Sequence, residues 1–158
     1  MIIDDYKLYE IVSEFRNAIE KAKADRKFVS DCRFRYFPRG CCDDASALLS
    51  EYLLLFGIKC KIVEGKYYDD NPELNSSHGW IELPDGRVID ITGDQFKYNP
   101  VIRFSETVYI GEYTEFHRMF NEDMFTEAQG IHNDGEIRRR RLEDLYNMIC
   151  EYLEKGNV

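Results

Sequence analysis

No apolar run in this chain approaches the roughly 18 residues of a helical membrane span. The N-terminal MIIDDYKLYE carries acidic residues where a secretory signal needs a basic flank. A cytoplasmic location with no membrane partner is therefore expected. A basic excess is also missing: the formal net charge is -9, which repels a phosphate backbone unless a basic face is segregated. The one basic run, Arg138 to Arg141, is flanked by Glu136, Glu143 and Asp144. In a helix its four side chains splay around the circumference, so a solvated helix face is expected and a nucleic-acid partner is not. No G-x-x-x-x-G-K loop or dinucleotide fingerprint occurs, so no nucleotide cofactor is expected. No C-x-x-C pair occurs either, and His117 and His132 lie far downstream of His78; no metal site and no other cofactor are expected. The five cysteines, at 32, 41, 42, 60 and 150, cannot all pair within one chain, and free thiols follow. Internal repeats, low-complexity tracts and a dividing linker are absent.

What is present suits a folded core. A chain of 158 residues with 44% hydrophobic and 14% aromatic content is expected to form one domain over residues 1–158. Leu8, Ile11, Val12, Phe15 and Ile19 recur at helical spacing within residues 6–23, predicting a first helix. The RFRYF stretch within residues 26–37 is read as strand or loop, ending at Pro38 and Gly40. Ala45, Leu48, Leu49, Tyr52, Leu53 and Phe56 predict a core-facing helix over residues 42–56, stopped by Gly57. Alternation through Ile58, Cys60 and Ile62 predicts a strand, and DDNPELNSS a loop. HGWIEL and RVIDIT flank Pro84-Asp85-Gly86, the pattern of a β-hairpin. A strand over residues 106–110 and helices near residues 114–128 and 136–153 complete the pattern, the helices separated by GIHNDG. The fold class is α+β: an antiparallel sheet, a central helix packed on it, and additional N- and C-terminal helices.

Three segments carry chemistry together: RGCCDDASALL, SSHGWIEL and GRVIDIT. A thiol is nucleophilic as the thiolate, and a helix N-terminus with a nearby imidazolium favours that form. Cys42 stands at such a start. A histidine acts as base when one ring nitrogen faces the sulfur and the other is held by an acceptor; His78 and Asp90, on paired strands, are suited to those roles. Singly, each has a bland reading: Cys42 as a buried small hydrophobe, His78 as a satisfied strand residue, Asp90 as a hairpin residue. Cys41 is favoured as packing, since adjacent cysteines rarely make an unstrained disulfide.

Residues 38–96 resemble the transglutaminase-like superfamily. The likeness is carried by Gly40-Cys41-Cys42, Ser46, Gly57-Ile58, Lys61, Val63 and Gly65, then His78-Gly79-Trp80 and Asp90-Ile91-Thr92. Cys42, fifteen positions before Gly57, matches the nucleophile's place. The resemblance implies a papain-like core and a Cys42–His78–Asp90 triad acting on an amide bond through a thioester, in a cysteine hydrolase or acyltransferase. Its partner would be a peptide, protein or small amide substrate. Lys59 and Lys61 stand where the family usually has proline and arginine, and hydrolysis by a peptidase, amidase or deamidase is expected over crosslinking. The alternative is a catalytically inactive module that binds peptide in the same cleft. Asp43 and Asp44 suit the helix dipole but oppose a nearby thiolate. Tyr36 is an oxyanion-donor candidate beside a core-packing reading. Trp80 is either a cleft wall or core, and Gln95 either lines the cleft or caps a turn.

Overall fold

The structure is a computed structural model that describes residues 3–132 and 135–155. Helix α1 (Asp5–Ala24) starts where the Asp4 side chain accepts the Lys7 N–H at 2.8 Å, an N-cap interaction. Its buried side chains are those of the periodic stripe, with Arg16 among them. Turns and a short 3-10 segment (Phe34–Tyr36) follow rather than a strand. Helix α2 (Cys42–Leu54) comes next, preceded by Gly40 at φ 67, a left-handed turn that glycine adopts without Cβ strain.

Five strands form one open antiparallel sheet in the order β4-β3-β2-β1-β5. They are β1 (Lys61–Tyr67), β2 (Ser76–Glu82), β3 (Val88–Asp90), β4 (Tyr109–Gly111) and β5 (Glu122–Ala128). The hairpin expected around Pro84 to Gly86 joins β2 to β3. One correction concerns residues 114–128. Only Glu115–Arg118, α3, is helical there, and residues 122–128 form β5, paired with β1 as an edge strand. Phe116, Phe120 and Met124 recur at a spacing of four, which mimics a helical stripe. Asp123 at φ 47 interrupts any helix, and the free edge of β1 supplies hydrogen bonds that propensity does not foresee. Helix α4 (Glu136–Lys155) packs on α1. Of the separating GIHNDG segment, Asn133 and Asp134 lie outside the described residues.

Alternation along the strands divides the interior in two. Ile62, Ile81 and Ile89 join a core with α1, α2 and α4, while Val63, Trp80 and Val88 join a second cluster with Phe96, Ile102, Phe116 and Phe120. Among the described residues no helix is long and apolar enough to cross a membrane.

Candidate active site

The hairpin register places the polar pair. Ile81 lies opposite Ile89 and Glu82 opposite Val88. Continued, that register sets Asp90 across from Trp80, with His78 two residues along the same face, a diagonal within reach of an imidazole. His78 Nε2 is 2.8 Å from Asp90 Oδ2, and Asp90 Oδ1 accepts the Thr92 N–H at 3.0 Å. Both side chains are fully buried.

The other ring nitrogen, His78 Nδ1, is 3.3 Å from Gln95 Nε2. The Gln95 amide also donates to Thr92 O at 3.1 Å and accepts the Gly40 N–H at 3.5 Å. Those two contacts fix its orientation and leave an N–H turned toward Nδ1. Gln95 therefore sits between the histidine and the turn before Cys42.

Cys42 opens α2 and is half-buried, whereas Cys41 lies wholly in the core, where burial pushes its thiol far up. Cys42 Sγ is 3.8 Å from the position that a Cβ on Gly79 would take. A side chain longer than alanine at 79 would thus run toward the sulfur. The Cys42 side chain is also near enough to the His78 ring to affect its proton affinity.

Burial alone pulls the His78 pKa down. The Asp90 carboxylate reverses this through charge and hydrogen bonding, and Cys42 adds to the rise, bringing it to about 10. The Gln95 N–H at Nδ1 opposes protonation there. The net direction is upward, because an ionised partner at 2.8 Å in a dry site outweighs a long neutral contact. Asp90 is pushed up by burial and pulled down by His78 and His117; the net result is a carboxyl held far below the usual range.

His117 is the residue the sequence reading set aside. Its Nε2 is also 2.8 Å from Asp90 Oδ2, and its Nδ1 is 2.7 Å from Thr114 Oγ1. The T-x-x-H spacing, with Thr114 capping α3, was a visible signal for a held ring. Its approach to Asp90 was not visible, since 27 residues separate the two.

His78, Asp90 and His117 offer ligand atoms within 4.8 Å of one another, and two histidines with a carboxylate can hold a divalent cation. The distances favour hydrogen bonds instead. Ligands around zinc at about 2.0–2.1 Å in a tetrahedron stand about 3.3 Å apart. Here each nitrogen is 2.8 Å from the same oxygen, the separation of a charge-assisted N–H···O bond.

Tyr36 is 57% exposed, with the Arg35 guanidinium 4.8 Å above its ring. It is not part of the core. Trp80 is fully buried, 5.7 Å from the His78 ring and 5.1 Å from the His117 ring, so it shields imidazoles rather than facing solvent. The acidic pair after Cys42 is compensated. Asp44 is wholly buried and meets Arg141 at 2.8 Å and Arg138 at 3.4 Å, while Asp43 meets Arg33 at 3.3 Å. The remaining members of the arginine run pair along α4, Arg139 with Glu143 and Arg140 with Glu136. Compared with known proteins, the chain matches no family model, no curated protein and no solved structure.

Proposed function

We propose that this chain is a papain-like, transglutaminase-like cysteine enzyme that cleaves an amide bond, with Cys42 as nucleophile, His78 as general base and acid, and Asp90 as the group that orients His78. The observation that carries this reading is the division of labour on the His78 ring. Nε2 is bound to a buried carboxylate at 2.8 Å, so Nδ1, which faces the Gln95 amide, is the nitrogen left to exchange a proton with Cys42. A ring so held has a fixed orientation and one nitrogen not bound to the carboxylate, which suits it to exchange a proton with a thiol.

In the proposed reaction the Cys42 proton passes to His78 Nδ1 and Sγ bonds to the substrate carbonyl carbon. The oxyanion is held by the Cys42 N–H, which in the first helical turn has no intrahelical acceptor. Collapse breaks the C–N bond, the leaving amine takes the proton from Nδ1, and a thioester remains. Water then attacks, gives its proton to His78, and the acid departs as Cys42 recovers its hydrogen. Compensation of Asp43 and Asp44 by arginines lowers their opposition to a thiolate.

A binding module without chemistry is the second reading, and the complete burial of His78 favours it. One experiment separates the two. Iodoacetamide alkylation is followed by peptide mass spectrometry from about pH 5 to 10, with exposed Cys32 as internal control. An active site is expected to show Cys42 reacting well below the ordinary thiol pKa of about 8.5, and Cys42→Ala to abolish acyl-enzyme formation with activated amides. A Cys42 profile that overlays Cys32, or trapping that survives Cys42→Ala, ends the enzymatic reading.

A further inference from the structure

The structure assigns His117 as a positioning residue of the thiol site: by donating from Nε2 to the Asp90 oxygen that His78 also uses, it holds that carboxylate ionised and oriented. This rests on the cysteine-enzyme reading above and extends its triad to a fourth member.

The fully buried Asp90 carboxylate loses hydration that hydrogen bonds must replace. The Thr92 N–H occupies Oδ1 at 3.0 Å, and the two imidazoles share Oδ2, each at 2.8 Å. Without His117, only one backbone N–H and His78 itself would offset desolvation. Proton transfer from His78 to Asp90 would then compete with the ion pair, and the carboxylate plane would be free to turn about its own side chain.

The donor is prepared for this task. Thr114 Oγ1 accepts the His117 backbone N–H at 3.2 Å and lies 2.7 Å from Nδ1. A ring that gives Nε2–H to a carboxylate and has one proton presents a bare Nδ1, so the hydroxyl directs its hydrogen there. The hydrogen-bond network thus assigns the Nε2–H tautomer. Packing fixes the ring plane: Tyr109 stacks on it at 5.5 Å, Trp80 meets it edge-on at 5.1 Å and Phe104 at 5.3 Å. A histidine serving only the core could have been satisfied by Thr114 and any carbonyl. This one shares the single oxygen that orients His78.

The test uses the full chain and two readouts. Imidazole 15N spectra report tautomers, and iodoacetamide alkylation of Cys42 at pH 6 reports thiolate activation. We expect wild-type His117 as the Nε2–H tautomer. His117→Phe, which keeps bulk but loses the donor, should slow alkylation about tenfold or more, the effect of a one-unit change in proton affinity. His117→Gln, which restores an N–H, should stay within about threefold of wild type. Should His117→Phe not fold, Thr114→Val keeps the ring and removes its lock; it should shift the 15N signature and slow alkylation. A folded His117→Phe or Thr114→Val protein with the wild-type rate, or a wild-type His117 protonated on Nδ1, overturns the assignment. An ordinary thiol profile for wild-type Cys42 would instead sink the enzyme reading. The positioning role is then judged by His78 alone: unchanged His78 15N shifts in His117→Phe refute it, and altered ones support it.

Discussion

Asp90 can stay ionised in a dry interior because it accepts three N–H groups, from Thr92, His78 and His117. Hydrogen bonds to the charged form favour that form. Asp90→Asn preserves shape but removes the charge, so the force lifting the His78 pKa disappears and burial pulls it down. Cys42 alkylation near pH 6 is expected to fall on the order of 10- to 100-fold, with the folded state retained by circular dichroism; an unchanged rate would show that Asp90 does not govern the base. Gln95 acts on the opposite side of the ring. Its N–H, aimed at Nδ1 from 3.3 Å, disfavours protonation of that nitrogen.

At the scale of elements, each peripheral helix grips the segment that carries a site residue. From α1, the buried Arg16 binds Asp94, beside Gln95, at 2.9 Å and also reaches the carbonyls of Ile91 and Thr107. From α3, His117 holds Asp90. From α4, Arg141 reaches Asp44, two residues beyond Cys42, at 2.8 Å. Arg141→Ala would leave Asp44 buried with Arg138 at 3.4 Å. Breaking a buried pair costs about 3–5 kcal/mol, and the partial exposure of Arg141 reduces this to about 2–3 kcal/mol. Urea unfolding should show that loss, and the Asp44→Asn/Arg141→Met double variant should recover part of it; equal stability of wild type and Arg141→Ala would mean the pair is solvated. Gly93 belongs to the same level of design. A Cβ there would stand 2.5 Å from Phe104 and 3.0 Å from Asp90 Oδ2, so the chain turns past the carboxylate with nothing to spare.

Across the whole molecule, the buried His78–Asp90 pair ties stability to pH. His78 is raised from 6.5 to about 10, so its contribution is complete below the unfolded value and is lost as pH climbs through the folded one. Asp90 is depressed below 3.8, so its contribution is present above that value and is lost as acid protonates the folded state. Asp44, whose pKa burial raises, works against the acid loss. Thermal unfolding should show the pair's support as a plateau between about pH 4 and 6.5, falling on the alkaline side toward pH 10. In Asp90→Asn the alkaline decline should vanish; its persistence would assign it to other groups.

The sequence by itself determined the stripes that become α1 and α2, the turn that makes the β2–β3 hairpin, and the placing of Cys42 at a helix start. These are local matters of period, capping and turn chemistry. It also placed His78 and Asp90 on the two strands of one hairpin. Only the tertiary structure decided that residues 122–128 pair as a strand, because the free edge of β1 is a distant partner. It alone brought His117 to Asp90 and turned two arginines of an apparent surface run inward to Asp44. Such contacts join segments whose side chains carry no shared period, so they exist only once the chain has closed around them.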